Sequence, residues 1–173
     1  ADYKNHPVSF QLINLLDLHD RSKFEIYGFS FGLEKEDEMK KRISKVFDKF
    51  YDVKFKTDFD IAKLSRDLNI DIAVDLTGFT SNSRFGIFVE RCAPVQVNFL
   101  GYPGTLGSNH HDYIIADKIL IPKENQKDYS EKIIYLPNSF LVNDSTKKIS
   151  KKIFTREELE LPKEGFVFCC FNK

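Results

Sequence analysis

The chain has no excess of charge of either sign: 26 Lys and Arg stand against 26 Asp and Glu in 173 residues, with a pI near 7.1. A dedicated binder of nucleic acid or of anionic membranes needs surplus cations to displace counterions from phosphates, so those classes are excluded and partners must be argued from sites. It also lacks any apolar run near the roughly 20 residues a membrane-spanning helix needs. The opening stretch, residues 1–6, is polar and is not followed by a signal-type hydrophobic region, so the expected compartment is the cytosol and no membrane partner is expected. Cysteine is scarce. Cys92 stands alone and Cys169 and Cys170 are adjacent, a spacing that neither redox CxxC chemistry nor zinc ligation uses, which predicts three reduced, structural thiols. Neither GxGxxG nor GxxxxGK[ST] is present, and there is no acidic cluster or phosphate loop of the response-regulator or flavodoxin kind. Internal repeats and low-complexity tracts are absent too.

What is present is apolar mass. Hydrophobic residues make up 42% of the chain, with 17 Phe and 7 Tyr, and a chain of this size buries about 70% of its unfolded surface, so it is one globular domain with a substantial core. From Pro7 the residues Val8, Phe10, Leu12, Ile13, Leu15, Leu16 and Leu18 follow helical spacing, with Pro7 suited to a first turn. Residues 24–31 read as a strand, 34–47 as a charged surface helix led by acidic residues, 51–55 as a short strand and 60–68 as a helix. Residues 70–76 form a strong buried-strand signal. Residues 84–91 read as a helix, and 95–100, 113–116 and 132–136 as strands, with a polar turn of helix before the last. Strands alternating with helices at this spacing predict a mainly parallel, doubly wound, Rossmann-like α/β sheet covered on both faces, with function beyond the carboxyl ends of its strands.

The chain divides into 1–146, the lobe itself, and 147–173, a charged linker followed by the first strand of another unit. Within the second segment, Thr155 and Glu158 fit a capping box that predicts a helix, and the apolar run 166–171 reads as a strand. The missing initiator Met and the apolar end predict a chain that continues on both sides.

Two loops lie where a ligand would bind. Residues 75–84, at the end of the strongest strand, offer Asp75, several hydroxyls and Gly78; the plainer reading is that Ser83 caps the next helix and Gly78 turns the chain. Residues 100–107 carry three glycines and a proline, which either form a tight turn or let the backbone approach a ligand closely. His6 stands at the start of the first helix, where the helix N-terminus favours a neutral imidazole. His110, His111 and Asp112 suggest a metal, but adjacent histidines seldom reach one ion and no third spaced ligand follows, so no metal is expected.

The segments Asn5-His6-Pro7, Asp75-Leu76-Thr77-Gly78-Phe79-Thr80, Arg91-Cys92-Ala93-Pro94, Leu100-Gly101-Tyr102-Pro103-Gly104-Thr105, Asp112-Tyr113-Ile114-Ile115-Ala116-Asp117 and Tyr129-Ser130-Glu131-Lys132 together resemble the O-linked N-acetylglucosamine transferase family, including its bacterial SPINDLY-like members. The resemblance runs from the first residue to Asn172. It implies the amino-terminal lobe of a GT-B enzyme, in which two Rossmann-like lobes face across a cleft behind tetratricopeptide repeats. The implied reaction is inverting and metal-independent, moving a sugar from a nucleotide diphosphate donor, here UDP-GlcNAc, to Ser or Thr hydroxyls of proteins. The donor is a substrate; no cofactor is implied. By the same resemblance His6 is the catalytic histidine once favoured as general base, and Thr80, Leu100, Gly101, Tyr102, Pro103, Gly104 and Thr105 line the pocket for the donor's sugar. Asp75 is the other candidate base, with a hydrogen-bonding role at the strand end as its alternative.

Two departures matter. The family's lobe begins with a central strand ahead of the position of Ala1, so a core slot is expected to be empty. The diphosphate-binding lysine and helix belong to a second lobe, so the chain alone is expected to be inactive. The competing readings are a transferase using GDP-fucose or UDP-glucose, and a non-catalytic Rossmann-like module that binds a peptide or protein.

Overall fold

The computed structural model describes residues 2–32 and 37–170. Its elements run α1 (Pro7–Asp17), β1 (Tyr27–Ser30), α2 (Glu38–Ser44), β2 (Lys49–Asp52), α3 (Asp58–Asp67), β3 (Ile72–Asp75), α4 (Gly86–Val89), β4 (Val95–Asn98), β5 (Tyr113–Ala116), a 3-10 turn at Lys123–Asp128, and β6 (Lys132–Tyr135). Every strand pairing is parallel, and helices connect successive strands up to β4, as the alternation predicts. The fold is an α/β Rossmann-like lobe.

The sheet is divided. β1 and β2 form one piece, and β3, β4, β5 and β6 form another in that order. β1 and β3 each have an edge with no strand partner among the described residues. Between them lies a cleft of about 570 Å³, lined among others by Tyr3, Leu16, Phe29, Ile72, Val74 and Phe88. This is where the family resemblance expects a central strand. The consequence falls on β3, whose sequence reads as fully buried: Ile72 is 54% and Val74 45% exposed, because their side chains face the cleft.

Local chemistry explains most element ends. α1 starts at Pro7 behind His6 and buries Val8, Leu12, Ile13 and Leu16 in a core shared with Met39 and Ile43 of α2 and with Phe99 and Leu100 after β4. α2 begins when the Asp37 carboxylate accepts the Lys40 N–H at 2.7 Å, and ends at Ser44, three residues short of the expected 47; there Phe47 turns to contact the rings of Tyr3 and Phe50. The expected start at Glu34 lies outside the described residues. α3 opens with a capping box between Thr57 and Asp60, two residues earlier than its periodicity suggests, and buries Ile61 and Ala62 against Ile87 and Phe88 of α4.

Three expectations are corrected. The helix over 84–91 shrinks to the single turn of α4, because Phe85 in the cap position makes no side-chain capping bond and Ser83 instead turns its N–H to the Thr80 carbonyl. The capping box at Thr155 forms, with Glu158 N–H donating to Thr155 Oγ1 at 3.1 Å, yet yields only a turn, since residues 151–160 are exposed and no apolar face anchors a helix. Residues 166–170 make no strand and pair with none of the sheet edges among the described residues; Phe171 lies outside the described residues. Beyond β6 the chain is tied back to the lobe at Ser145, whose N–H and hydroxyl both donate to Asn14 Oδ1 on α1.

All three cysteines are free. Cys92 is buried, and burial pushes its thiol up to about 11, but Cys169 and Cys170 are exposed on the terminal segment and support no core. No helix among the described residues is long and apolar enough to cross a membrane.

Candidate active site

The first loop is organised by Asp75, the last residue of β3. Its Oδ1 accepts the N–H groups of Thr77 (2.9 Å) and Gly78 (3.0 Å), closing the turn that a strand end with Asp-x-Thr-Gly encodes. Its Oδ2 lies 3.2 Å from His111 Nε2, and both side chains are buried. Burial works against ionisation of Asp75, but the adjacent His111 and the two N–H donors outweigh it, so the carboxyl lies below its usual range. With both oxygens occupied and 5% exposure, Asp75 takes the hydrogen-bonding role and is closed off as a base. Thr80 donates its hydroxyl to the Thr77 carbonyl at 2.8 Å and is exposed at the tip, beside the exposed ring of Phe79.

The second loop follows β4 and is held from three sides. Asn98, fully buried, donates from Nδ2 to the carbonyls of Tyr102 (3.0 Å) and Gly104 (3.2 Å). Glu131, next to β6 and 4% exposed, accepts the Thr105 hydroxyl and the Leu106 N–H, each at 2.7 Å. Tyr129 donates its hydroxyl to the Pro103 carbonyl at 3.5 Å. The loop starts under strain: Leu100 has φ +76°, a left-handed conformation that costs a non-glycine residue about 1–2 kcal/mol. Its side chain is buried with Val8 and Leu12 in the α1 core, so what Leu100 offers a ligand is backbone.

Glycine brings the two loops together. A Cβ on Gly101 would overlap the Leu76 carbonyl oxygen, and a Cβ on Gly78 would overlap Cβ of Tyr102. Phe79 then meets the Tyr102 ring edge-on at 5.8 Å. Thr80, Gly101, Tyr102, Pro103, Gly104 and Thr105 thus belong to one surface at the carboxyl ends of β3 and β4, where a doubly wound sheet places its ligands.

His6 stands at the start of α1, beside the residue that is tied to the start of α2. It is half-buried and caps the helix, its Nδ1 accepting the Val8 N–H at 3.3 Å. The residue before it is fixed to the next helix, because Asn5 N–H donates to the Asp37 carboxylate at 2.6 Å. Those donors, Lys40 first and then Asn5, keep the Asp37 carboxyl below its ordinary value. Among the described residues no hydrogen bond joins His6 to either loop; the link is the shared core of Val8, Leu12 and Leu100.

The sequence left Asn98 and Glu131 without a role. Asn98 had a signal: β4 reads Val-Gln-Val-Asn, and a polar residue at each second place of a buried strand must find an internal partner. Gln96 does so as well, donating to the carbonyls of Phe88 and His110. The His110, His111 and Asp112 run is separated by its partners, His111 beside Asp75 and Asp112 paired with Arg91 at 2.7 Å. No group of three metal-ligating side chains occurs among the described residues.

Residues 1–154 match the family described as Glycosyl transferase family 41. The whole chain is 32% identical to the probable UDP-N-acetylglucosamine–peptide N-acetylglucosaminyltransferase SEC of Arabidopsis thaliana, of which it covers 18%. Over 81% of its length it is 34% identical to the probable UDP-N-acetylglucosamine–peptide N-acetylglucosaminyltransferase SPINDLY of Oryza sativa subsp. japonica, covering 15% of that protein. A solved mutant of the Thermobaculum terrenum O-GlcNAc transferase superposes with a TM-score of 0.78 at 32% identity, over 81% of this chain and 27% of the other. The chain therefore spans less than a fifth of these two plant relatives.

Proposed function

The chain belongs to glycosyl transferase family 41, and from that premise we propose that it is the amino-terminal lobe of a protein O-glycosyltransferase that moves N-acetylglucosamine from UDP-GlcNAc to Ser and Thr hydroxyls. The observation that carries the reading is the glycine-mediated closure of the loop after β3 on the loop after β4, which makes a surface of Thr80 and Gly101 to Thr105 fit to seat a sugar. Bulk is missing where a ring must approach, and both loops are held by buried groups, so the seat is formed before the donor arrives.

Transfer proceeds with inversion and without a metal in this reading: the acceptor oxygen attacks the anomeric carbon on the face opposite the diphosphate, its hydroxyl proton passes to solvent, and the diphosphate departs with the bonding electron pair. The lobe seats the sugar and brings His6 to the reacting end. A carboxy-terminal lobe supplies the groups that stabilise the departing diphosphate, so the 173-residue chain alone turns over no donor. Tetratricopeptide repeats ahead of the lobe present the acceptor protein.

The test is an assay on a protein that unites this lobe with a carboxy-terminal lobe, offering UDP-GlcNAc, GDP-fucose and UDP-glucose in parallel. Transfer from UDP-GlcNAc to a Ser or Thr peptide is the expected result. Preference for GDP-fucose overturns the donor assignment, and peptide binding without transfer from any donor puts a binding module in its place.

A further inference from the structure

We propose that His111, whose side chain is fully buried and reaches no ligand, holds the sugar seat in place by fixing Asp75, and so acts as a positioning residue for donor recognition. The proposal rests on the reading of Thr80 and Gly101 to Thr105 as that seat. His111 is 2% exposed and stands just ahead of β5, with its ring against Phe88 at 4.6 Å and Phe85 at 5.5 Å. Its Nε2 lies 3.2 Å from Asp75 Oδ2, the oxygen not used by the turn after β3, since Oδ1 takes the N–H groups of Thr77 and Gly78. A carboxylate is planar, so holding Oδ2 fixes the rotation of the group and with it the direction in which Oδ1 meets the turn. An ionised carboxylate only accepts hydrogen bonds, so the ring edge facing it is a donor whether or not Nδ1 carries a proton.

Two routes lead from this one ring to the seat. The polar route runs through Asp75 to Gly78, which has φ +54° and packs on Cβ of Tyr102. The aromatic route runs through Phe85, whose ring also meets Phe79 at 5.3 Å, and Phe79 in turn meets Tyr102 at 5.8 Å. Both arrive at Gly78 and Phe79, next to Thr80, where the first loop closes on the glycine-rich one. Packing alone does not account for an imidazole at this position. Nδ1 has no hydrogen-bond partner among the described residues, and a buried polar atom without one is a cost that an apolar side chain of similar size avoids. What the apolar side chain could not supply is the hold on Asp75. The place of the sugar against the glycine-rich loop therefore depends on a residue that the sugar does not touch.

The test compares His111→Leu with His111→Gln, which lose the aromatic ring alike and differ in that only the glutamine amide can donate to Asp75 Oδ2. In the 173-residue chain, hydrogen exchange of the Thr77 and Gly78 amides is expected to quicken about tenfold in His111→Leu, the worth of one hydrogen bond, and to stay within about twofold of wild type in His111→Gln. The Ile114 amide in β5, unchanged in both, measures an intact fold. If the leucine variant does not fold, His111→Met, whose flexible side chain adapts to the space, replaces it. In a two-lobed protein that shows transfer, His111→Leu is expected to raise KM for the nucleotide sugar about tenfold over His111→Gln. Inhibition by the free nucleoside diphosphate stays the same in both, because this lobe holds the sugar and the second lobe the diphosphate. Equal exchange rates in the two variants overturn the proposal. So does a fall in kcat with KM unmoved, which is what loss of folded enzyme alone would give. Absence of transfer in the unsubstituted two-lobed protein defeats the proposed function, while the exchange measurement still decides this one.

Discussion

Thr105 and Glu131, 26 residues apart, are joined by a 2.7 Å hydrogen bond that ties the glycine-rich loop to the start of β6. The same carboxylate takes the Leu106 N–H, so one buried side chain satisfies a hydroxyl and a backbone donor at once. Replacing Glu131 by Ala strands both donors and is expected to cost about 2–3 kcal/mol in urea unfolding, with Glu131→Gln, which retains an acceptor oxygen, losing less. Equal losses for the two variants would show that packing, and not hydrogen bonding, is what Glu131 supplies.

Two glycines of this loop answer different questions. Gly101 abuts the Leu76 carbonyl, a backbone atom that cannot rotate aside, whereas Gly107 has φ +59° with open space where a Cβ would stand. Gly107→Ala is expected to cost only the left-handed strain, about 1 kcal/mol. Gly101→Ala should cost more than about 2 kcal/mol, as overpacking against a fixed neighbour does. Thermal unfolding of both variants checks the order; a milder effect at Gly101 would mean the two loops are not in contact.

The depressed carboxyl of Asp75 links this turn to pH. A carboxylate whose folded pKa lies below its unfolded value, about 3.9, contributes stability above that value and loses it as pH falls through the lower, folded one. At pH 7, Asp75→Asn is therefore expected to be less stable by about 1–2 kcal/mol, since it loses the charged acceptor that faces the Thr77 and Gly78 N–H groups and His111 but keeps an amide oxygen for the turn. The gap between variant and wild type narrows below pH 4. Urea midpoints at pH 7, 5 and 3.5 measure it, and a gap that widens on acidification would reverse the sign assigned here.

The cleft between β1 and β3 makes a prediction about length. Ile72 and Val74, half-exposed on the cleft wall, gain about 2 kcal/mol when a strand covers them, which raises Tm by about 4–8 °C in a chain of this size. A longer protein carrying an apolar strand ahead of Ala1 is expected to show this rise and to lose binding of a hydrophobic dye. An unchanged Tm with dye still bound would mean that the added strand does not enter the cleft.

The sequence was most legible where structure is decided locally. The strand at Tyr113–Ala116 lies where its apolar run lies, and the helix behind Pro7 buries the residues its spacing selects. The glycine-rich loop was legible as a place of close backbone approach because three glycines and a proline crowd one strand end, and Gly101 abuts the Leu76 carbonyl there. What could not be read depends on partners far along the chain. Nothing in the neighbourhood of Glu131 announces Thr105, and nothing in Ile72 and Val74 themselves reveals that the edge beside them has no strand among the described residues; only the family resemblance pointed to that slot. Thr155 shows the opposite limit, a correct capping box with no apolar face to hold the helix it would start.

Asn98 and Glu131 grip the glycine-rich loop by its main chain and by Thr105, leaving the side chain of Pro103 exposed and uninvolved in that grip. Shape and identity are thereby separated at this site. Under the proposed function, position 103 is therefore the first place to diversify in a library aimed at altered donor choice, because its side chain lies outside the grip that holds the loop.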